Sequence, residues 1–313
     1  MKKTKKYQGV VVPVVTPLTA DLALDAEAVG KIFEHLRRHA CLPFILGTTG
    51  EAASLPASVK LNYVKRAAAL KQSGEMLYAG IASNSPAESV ELAKAYFDAG
   101  IDVAVAHLPS YYALSADGMR AYFEYLADRV PGPLIIYNIT ATTHMSIPLA
   151  VLDQLSQHDT IVGVKDSERS EERLQTSLRL WANRDDFSYF LGWAAQSAQS
   201  LLWGSDGIVP STGNLHPGLY QAMVEAVDAD DADRAFQLQK LSDTLGALYQ
   251  QGRLLGESLA SLKALMAQWG LCQPHMMPPL RPVASSEALS LHQRLQSLIA
   301  EEGIQLNLNT SHV

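Results

Sequence analysis

Short apolar runs rich in β-branched residues alternate along this chain with longer stretches whose apolar residues recur at helical spacing. That alternation is the pattern of βα units around a parallel sheet. The strand runs fall at 10–15, 43–47, 76–81, 103–107, 134–137, 161–165, 187–191 and 207–209. Most are apolar at every position, as strands covered on both faces should be. Stretches such as 25–39, 56–72, 86–98 and 116–128 have the length and periodicity of crossover helices. Ser85 and Ser115 stand at N-cap positions, Pro86 follows as a first helical residue, and Pro148 marks the start of the fifth helix.

Eight βα pairs in about 220 residues fit a closed (β/α)8 TIM barrel better than a doubly wound sheet, which needs a reversal of strand order. After Asp228 the strand pattern stops, and 232–249, 258–269 and 287–302 read as helices. The expected α/β architecture is a barrel carrying the active site over 7–228 and a C-terminal helical appendage over 229–313. The acidic run 228–233 lacks the glycine and terminal glutamate of an EF-hand, and reads as a turn leading into a helix N-terminus. Pro274, Pro278, Pro279 and Pro282 mark a stiff connection before the last helix.

Composition narrows the function classes. With 313 residues and 48% hydrophobic content the chain buries a large core and is not disordered. A net charge of −7 with scattered Lys and Arg offers no footprint for nucleic acid. Cys41 and Cys272 are too few for a disulfide framework, show no zinc spacing, and fit a reducing cytoplasm. The basic start followed by apolar 9–15 imitates a signal peptide, but Pro13 interrupts it and no small-residue cleavage site follows closely; a solvated basic tip before a buried strand explains the same residues. No apolar run reaches the ~20 residues that cross a bilayer, so no membrane partner is expected.

In a barrel, reactive groups stand where strands end and side chains project into the mouth. Lys165 ends the sixth run, where desolvation favours a neutral, nucleophilic amine; the bland alternative is a lysine paired with Asp166 or Glu168. Tyr137 ends the preceding run, where its phenol could move a proton beside Lys165 or simply pack. Gly47, Thr48, Thr49, Gly50 and Glu51 form a turn whose glycines would let backbone approach a ligand, with hydroxyls and N–H groups able to grip a carboxylate. Tyr111 and Tyr112 supply phenols at the mouth or at a subunit contact.

These pieces, with Tyr137-Asn138, Gly163-Val-Lys-Asp166 and Gly207-Ile-Val-Pro-Ser-Thr-Gly-Asn214, make the chain resemble the dihydrodipicolinate synthase/N-acetylneuraminate lyase family from about Tyr7 to about Leu298. The resemblance implies a homotetramer working on pyruvate and an aldehyde, without a metal or a separate cofactor. It implies that Lys165 forms a Schiff base with a 2-oxo acid, that Tyr137 transfers protons, and that Thr48 and Thr49 hold the carboxylate. It also implies that Tyr112 reaches into a neighbouring subunit's site, and that Val209, which ends the eighth run, and Ser211, just past it, contact substrate.

Departures within the family separate its branches. Where dihydrodipicolinate synthases carry an arginine for the second substrate's carboxylate, this chain has Thr142, and a hydroxyl does not replace a bidentate guanidinium. Ala141 and Thr143 resemble the sugar-acid aldolase branch, with Thr140 in place of Pro and His144 in place of Gly. The segment Gly192-Trp193-Ala194-Ala195 after the seventh strand lacks the acidic residues with which N-acetylneuraminate lyases bind the sugar's hydroxyls, and Trp193 reads either as a stacking wall or as core. His144 reads as an anion or proton contact, or as a structural histidine. The expected activity is a pyruvate-forming aldolase of a 2-keto-3-deoxy sugar acid, followed by a Schiff-base dehydratase of a similar acid and then by dihydrodipicolinate synthase. A pyruvate-binding member without catalysis would lack Lys165 or Tyr137, and both are present.

Overall fold

In the computed structural model, which describes residues 5–302, the apolar runs form eight short strands. They are β1 (Gly9–Pro13), β2 (Leu42–Ile45), β3 (Tyr78–Gly80), β4 (Val103–His107), β5 (Leu134–Asn138), β6 (Ile161–Asp166), β7 (Ser188–Leu191) and β8 (Gly207–Ile208). All pair in parallel in chain order, and β8 closes on β1. Closure leaves no edge and turns every strand's C-terminal end toward one mouth.

The crossovers on the first half of the barrel are α1 (Ala26–Arg37), α2 (Ala57–Leu70), α3 (Pro86–Ala99) and α4 (Ala116–Ala127). Their N-termini are satisfied locally: Asp25 accepts from Ala28 N at 3.0 Å, and Ser115 from Gly118 N at 3.2 Å. After β5 comes a single turn, α5 (Thr140–Thr143), before the crossover α6 (Leu149–Leu155), whose N-cap is Pro148. The second half adds α7 (Glu171–Trp181), the short α8 (Ser197–Leu202) and α9 (Pro217–Asp228).

The remaining helices are α10 (Ala232–Gln250), α11 (Leu255–Gln268) and α12 (Ser285–Glu302). Asp231 in the acidic run caps α10, accepting from Arg234 N at 2.9 Å, as a helix N-terminus should. The α10 helix packs on α8 and α9, and the main core cluster runs on through Leu245, Leu248, Tyr249, Leu262 and Leu265. The expected helical region extends to 313, and its last residues, 303–313, lie outside the described chain. Among the described residues no helix is long and apolar enough to cross a membrane.

The basic tip differs from expectation. Lys5 is buried, with its ammonium donating to the carbonyls of Trp181 and Phe187 at 3.2 and 2.9 Å and pairing with Asp206 at 2.9 Å. Three partners in place of water compensate its desolvation. Lys6 beside it is exposed as expected, and Met1–Thr4 are outside the described residues.

Inside the barrel, Val11, Phe44, Tyr78, Val103, Val105, Ile135, Tyr137, Phe190 and Val209 fill the interior. One irregularity governs what reaches the mouth. Leu134 pairs with Ile161 but Ile135 pairs with Gly163, so β6 carries one extra residue, Val162. The bulge shifts β6 by a residue against β5 and makes Lys165, rather than Val164, the partner of Tyr137.

Candidate active site

Lys165 and Tyr137 are therefore neighbours on one face, at the ends of adjacent strands, and both are buried. The lysine Nζ lies 3.7 Å from the centroid of the Tyr137 ring and 5.1 Å from that of Phe44. Burial pushes the amine below its ordinary pKa, and Tyr137 partly opposes the shift. Beneath it Phe44, Tyr78, Phe190 and Val209 enclose an apolar cavity of about 10 Å3, no larger than one water needs.

The acids next to Lys165 in sequence do not pair with it. Strand alternation turns Asp166 outward, where it accepts from Asn138 Nδ2 at 2.9 Å and Arg173 Nε at 2.6 Å. Glu168 accepts from Asn138 at 3.0 Å and from Ser146 Oγ at 2.6 Å. This network ties the loops after β5 and β6 together and leaves the amine without an acidic partner among the described residues. The bland reading of Lys165 is thereby overturned.

Thr48 and Thr49 follow β2 in a tight turn, in which Gly50 N donates to Gly47 O and Glu51 N to Thr48 O, each at 3.1 Å. Thr49 is buried and Thr48 half-buried. The sequence ascribes the turn's glycines to ligand approach, but at Gly47 the reason is packing, since a Cβ there would meet the Phe44 ring at 2.9 Å. The left-handed positions are Leu46 and Glu51, with φ of 55° and 57°. Glu51 is held there by a buried ion pair to Lys263 of α11 and by Met277 N, which donates to Oε2 at 2.8 Å.

Beyond β7, Gly192 is the point where a Cβ would run into Ser167 and come within 3.2 Å of Lys165 Cε. Trp193 is half-buried and packs against the core. Val209 lines the interior beneath the mouth. Ser211 is half-buried, and its hydroxyl already shares a hydrogen bond of 2.8 Å with Tyr249 of α10.

Thr142 is half-buried in α5, while His144 is exposed at the end of that turn, in the left-handed region at φ 57°. Tyr112 is not brought into the site: it is 74% exposed, its ring edge-to-face with Tyr111 at 4.9 Å.

Three features escape the sequence reading. His107 ends β4 with its ring 6.2 Å from that of Tyr137. It lies at a strand end, so the rule that selects Lys165 selects it too. Lys263 is a single charge in an apolar helix stretch, a signal that it needs a buried counter-ion. Tyr249 carries no comparable mark.

Residues 6–298 match the dihydrodipicolinate synthetase family. The chain belongs to that family. The 4-hydroxy-tetrahydrodipicolinate synthase of Archaeoglobus fulgidus is 26% identical over 293 residues, 93% of this chain and 98% of its own. That of Limosilactobacillus fermentum is 30% identical over 278 residues, 88% of this chain and 86% of its own. Among solved structures, dihydrodipicolinate synthase from Bacteroides thetaiotaomicron has a TM-score of 0.88 at 28% identity, covering 93% of this chain and 98% of that one. YagE, a prophage protein of the same family from E. coli solved with pyruvate, has a TM-score of 0.87 at 25% identity, again over 93% and 98%. Membership in the dihydrodipicolinate synthetase family makes the protein a carbon–carbon lyase of the pyruvate-dependent aldolase type, a chemistry that uses a lysine Schiff base and no external cofactor.

Proposed function

We propose that this protein is a class I aldolase that makes or breaks the bond between pyruvate and an aldehyde, with a 2-keto-3-deoxy sugar acid or related 2-oxo acid as its substrate. The observation that carries the reading is the Lys165 amine, buried, free of acidic partners among the described residues and set against the Tyr137 ring. Its neutral form attacks C2 of the 2-oxo acid; Tyr137 gives a proton to the departing hydroxyl, and water leaves as the imine forms. The protonated imine then accepts the electron pair of the C3–C4 bond as an enamine, while the C4 hydroxyl loses its proton and becomes the aldehyde carbonyl. Protonation of the enamine at C3 and hydrolysis release pyruvate and restore the amine.

Thr48 and Thr49 hold the carboxylate and Val209 bounds the pyruvate end. Thr142, His144, Trp193 and Ser211 belong to the outer part, where the second substrate is chosen; Tyr249 orients the Ser211 hydroxyl through their shared bond. Tyr112, exposed on the protomer, serves a neighbouring subunit's site in a homotetramer. The residues 7–228 carry the chemistry and the helices from 229 brace them. Two buried, unbridged cysteines fit a cytoplasmic protein.

The names of the relatives favour a second reading, 4-hydroxy-tetrahydrodipicolinate synthase. Thr142, in place of a guanidinium, argues against it. Incubation with pyruvate and borohydride, followed by intact mass measurement, tests the Schiff base: a single adduct is expected, absent in Lys165→Ala. Condensation of pyruvate with an aldehyde panel separates the readings, and robust turnover of aspartate semialdehyde would favour the synthase.

A further inference from the structure

The mouth end of β4 carries an imidazole that the reaction above leaves unused. Val103 and Val105 point into the barrel, and the pleat of β4 turns His107 the same way. His107 is the register partner of Tyr137, and the two rings meet edge to face with their planes at 75°. Tyr137 thus contacts His107 through one part of its ring and Lys165 Nζ through another.

The tautomer of His107 follows from its surroundings. Nδ1 lies 2.7 Å from the carbonyl oxygen of Leu108. A carbonyl only accepts, so in the neutral ring Nδ1 bears the hydrogen and Nε2 is left as a bare acceptor. Burial lowers the ring's pKa by more than the Leu108 bond raises it, which favours that neutral form. The backbone bearing the ring is fixed as well, because His107 O accepts from the Tyr122 hydroxyl at 3.0 Å. A fixed acceptor at the mouth suits a hydroxyl donor and disfavours an anionic group, whose oxygens also only accept.

We infer that His107 is a specificity-determining residue whose Nε2 accepts a hydrogen bond from a hydroxyl of the second substrate, so that the site prefers neutral hydroxyaldehydes to plain or acidic ones. This rests on the aldolase reading and narrows its substrate class.

The test compares kcat/KM for condensation of pyruvate with glyceraldehyde and with propionaldehyde, in the wild type, His107→Phe and His107→Gln. The wild type should prefer glyceraldehyde at least about tenfold. His107→Phe, which keeps a ring against Tyr137, should erase the preference through glyceraldehyde alone, and His107→Gln, which restores an acceptor, should recover part of it. Borohydride trapping of pyruvate should persist in all three. No wild-type preference, an unchanged preference in His107→Phe, or an equal loss on both aldehydes would overturn the role of His107. Wild-type protein that fails to trap pyruvate would overturn the aldolase reading itself, and this inference with it.

Discussion

Glu51, which closes the turn after β2, and Lys263, within α11, form a buried ion pair with Oε1 2.5 Å from Nζ. Neither charge depends on the other alone: Lys263 also donates to His275 O at 2.7 Å, and Glu51 also accepts from Met277 N at 2.8 Å. The pair fastens the threonine turn to the C-terminal helices. Lys263→Met strands a carboxylate in the interior and should cost about 3–5 kcal/mol in urea unfolding. It should also raise the KM for pyruvate by loosening the turn. Glu51→Gln combined with Lys263→Met should recover part of both losses, and a simple sum of the two single effects would refute the coupling.

Tyr137→Phe separates proton transfer from nucleophilic attack. Borohydride trapping should survive, more slowly, while kcat falls about 10^2 to 10^4-fold. The sign of the pH effect follows from burial. A lowered lysine pKa exposes neutral amine at lower pH, so single-turnover imine formation should rise with pH and level off earlier than for an exposed lysine. Because Tyr137 holds that pKa up, removing its hydroxyl should move the inflection lower still. An inflection at the ordinary lysine value would contradict the buried site.

Acid should weaken the fold through two histidines. Burial, with His39 as the next cause, pushes His35 and His216 down to about 4. Unfolded, both titrate near ~6.5. Between those values the unfolded chain binds more protons, so stability is full above about pH 6.5 and declines as pH falls toward 4, by on the order of 3 kcal/mol for each group. Urea midpoints across that window measure the slope, which His35→Gln should make shallower by up to one proton.

Thr142→Arg should shift preference toward acidic aldehydes. A charge-assisted bond contributes about 1.5–3 kcal/mol, so the ratio of kcat/KM for aspartate semialdehyde over an uncharged aldehyde should rise roughly 10 to 100-fold. An unchanged ratio would remove Thr142 from the recognition of the second substrate.

The barrel is legible in the chain because its strands, covered on both faces, are mostly apolar throughout, and because Ser85 and Ser115 announce helix starts. The relation of Lys165 to Tyr137 is legible only in outline. Two strand ends can be read from hydrophobicity, but the bulge at Val162 that makes them level depends on pairing between strands. Glu51 and Lys263 stand 212 residues apart, and local pattern carries no information over that span. Lys5 reads as a tip residue until its distant carbonyl partners are known.

Gly192 has a consequence for how this enzyme can diverge. The end of β7 offers no room for even a methyl group, because Ser167 and the stem of Lys165 already occupy it. A side chain at that position therefore requires Ser167 to turn away and the Lys165 stem to give by a few tenths of an ångström. One step later Trp193 already carries a large aromatic, so bulk is tolerated there. A library for altered substrates is best begun there, with the glycine left fixed.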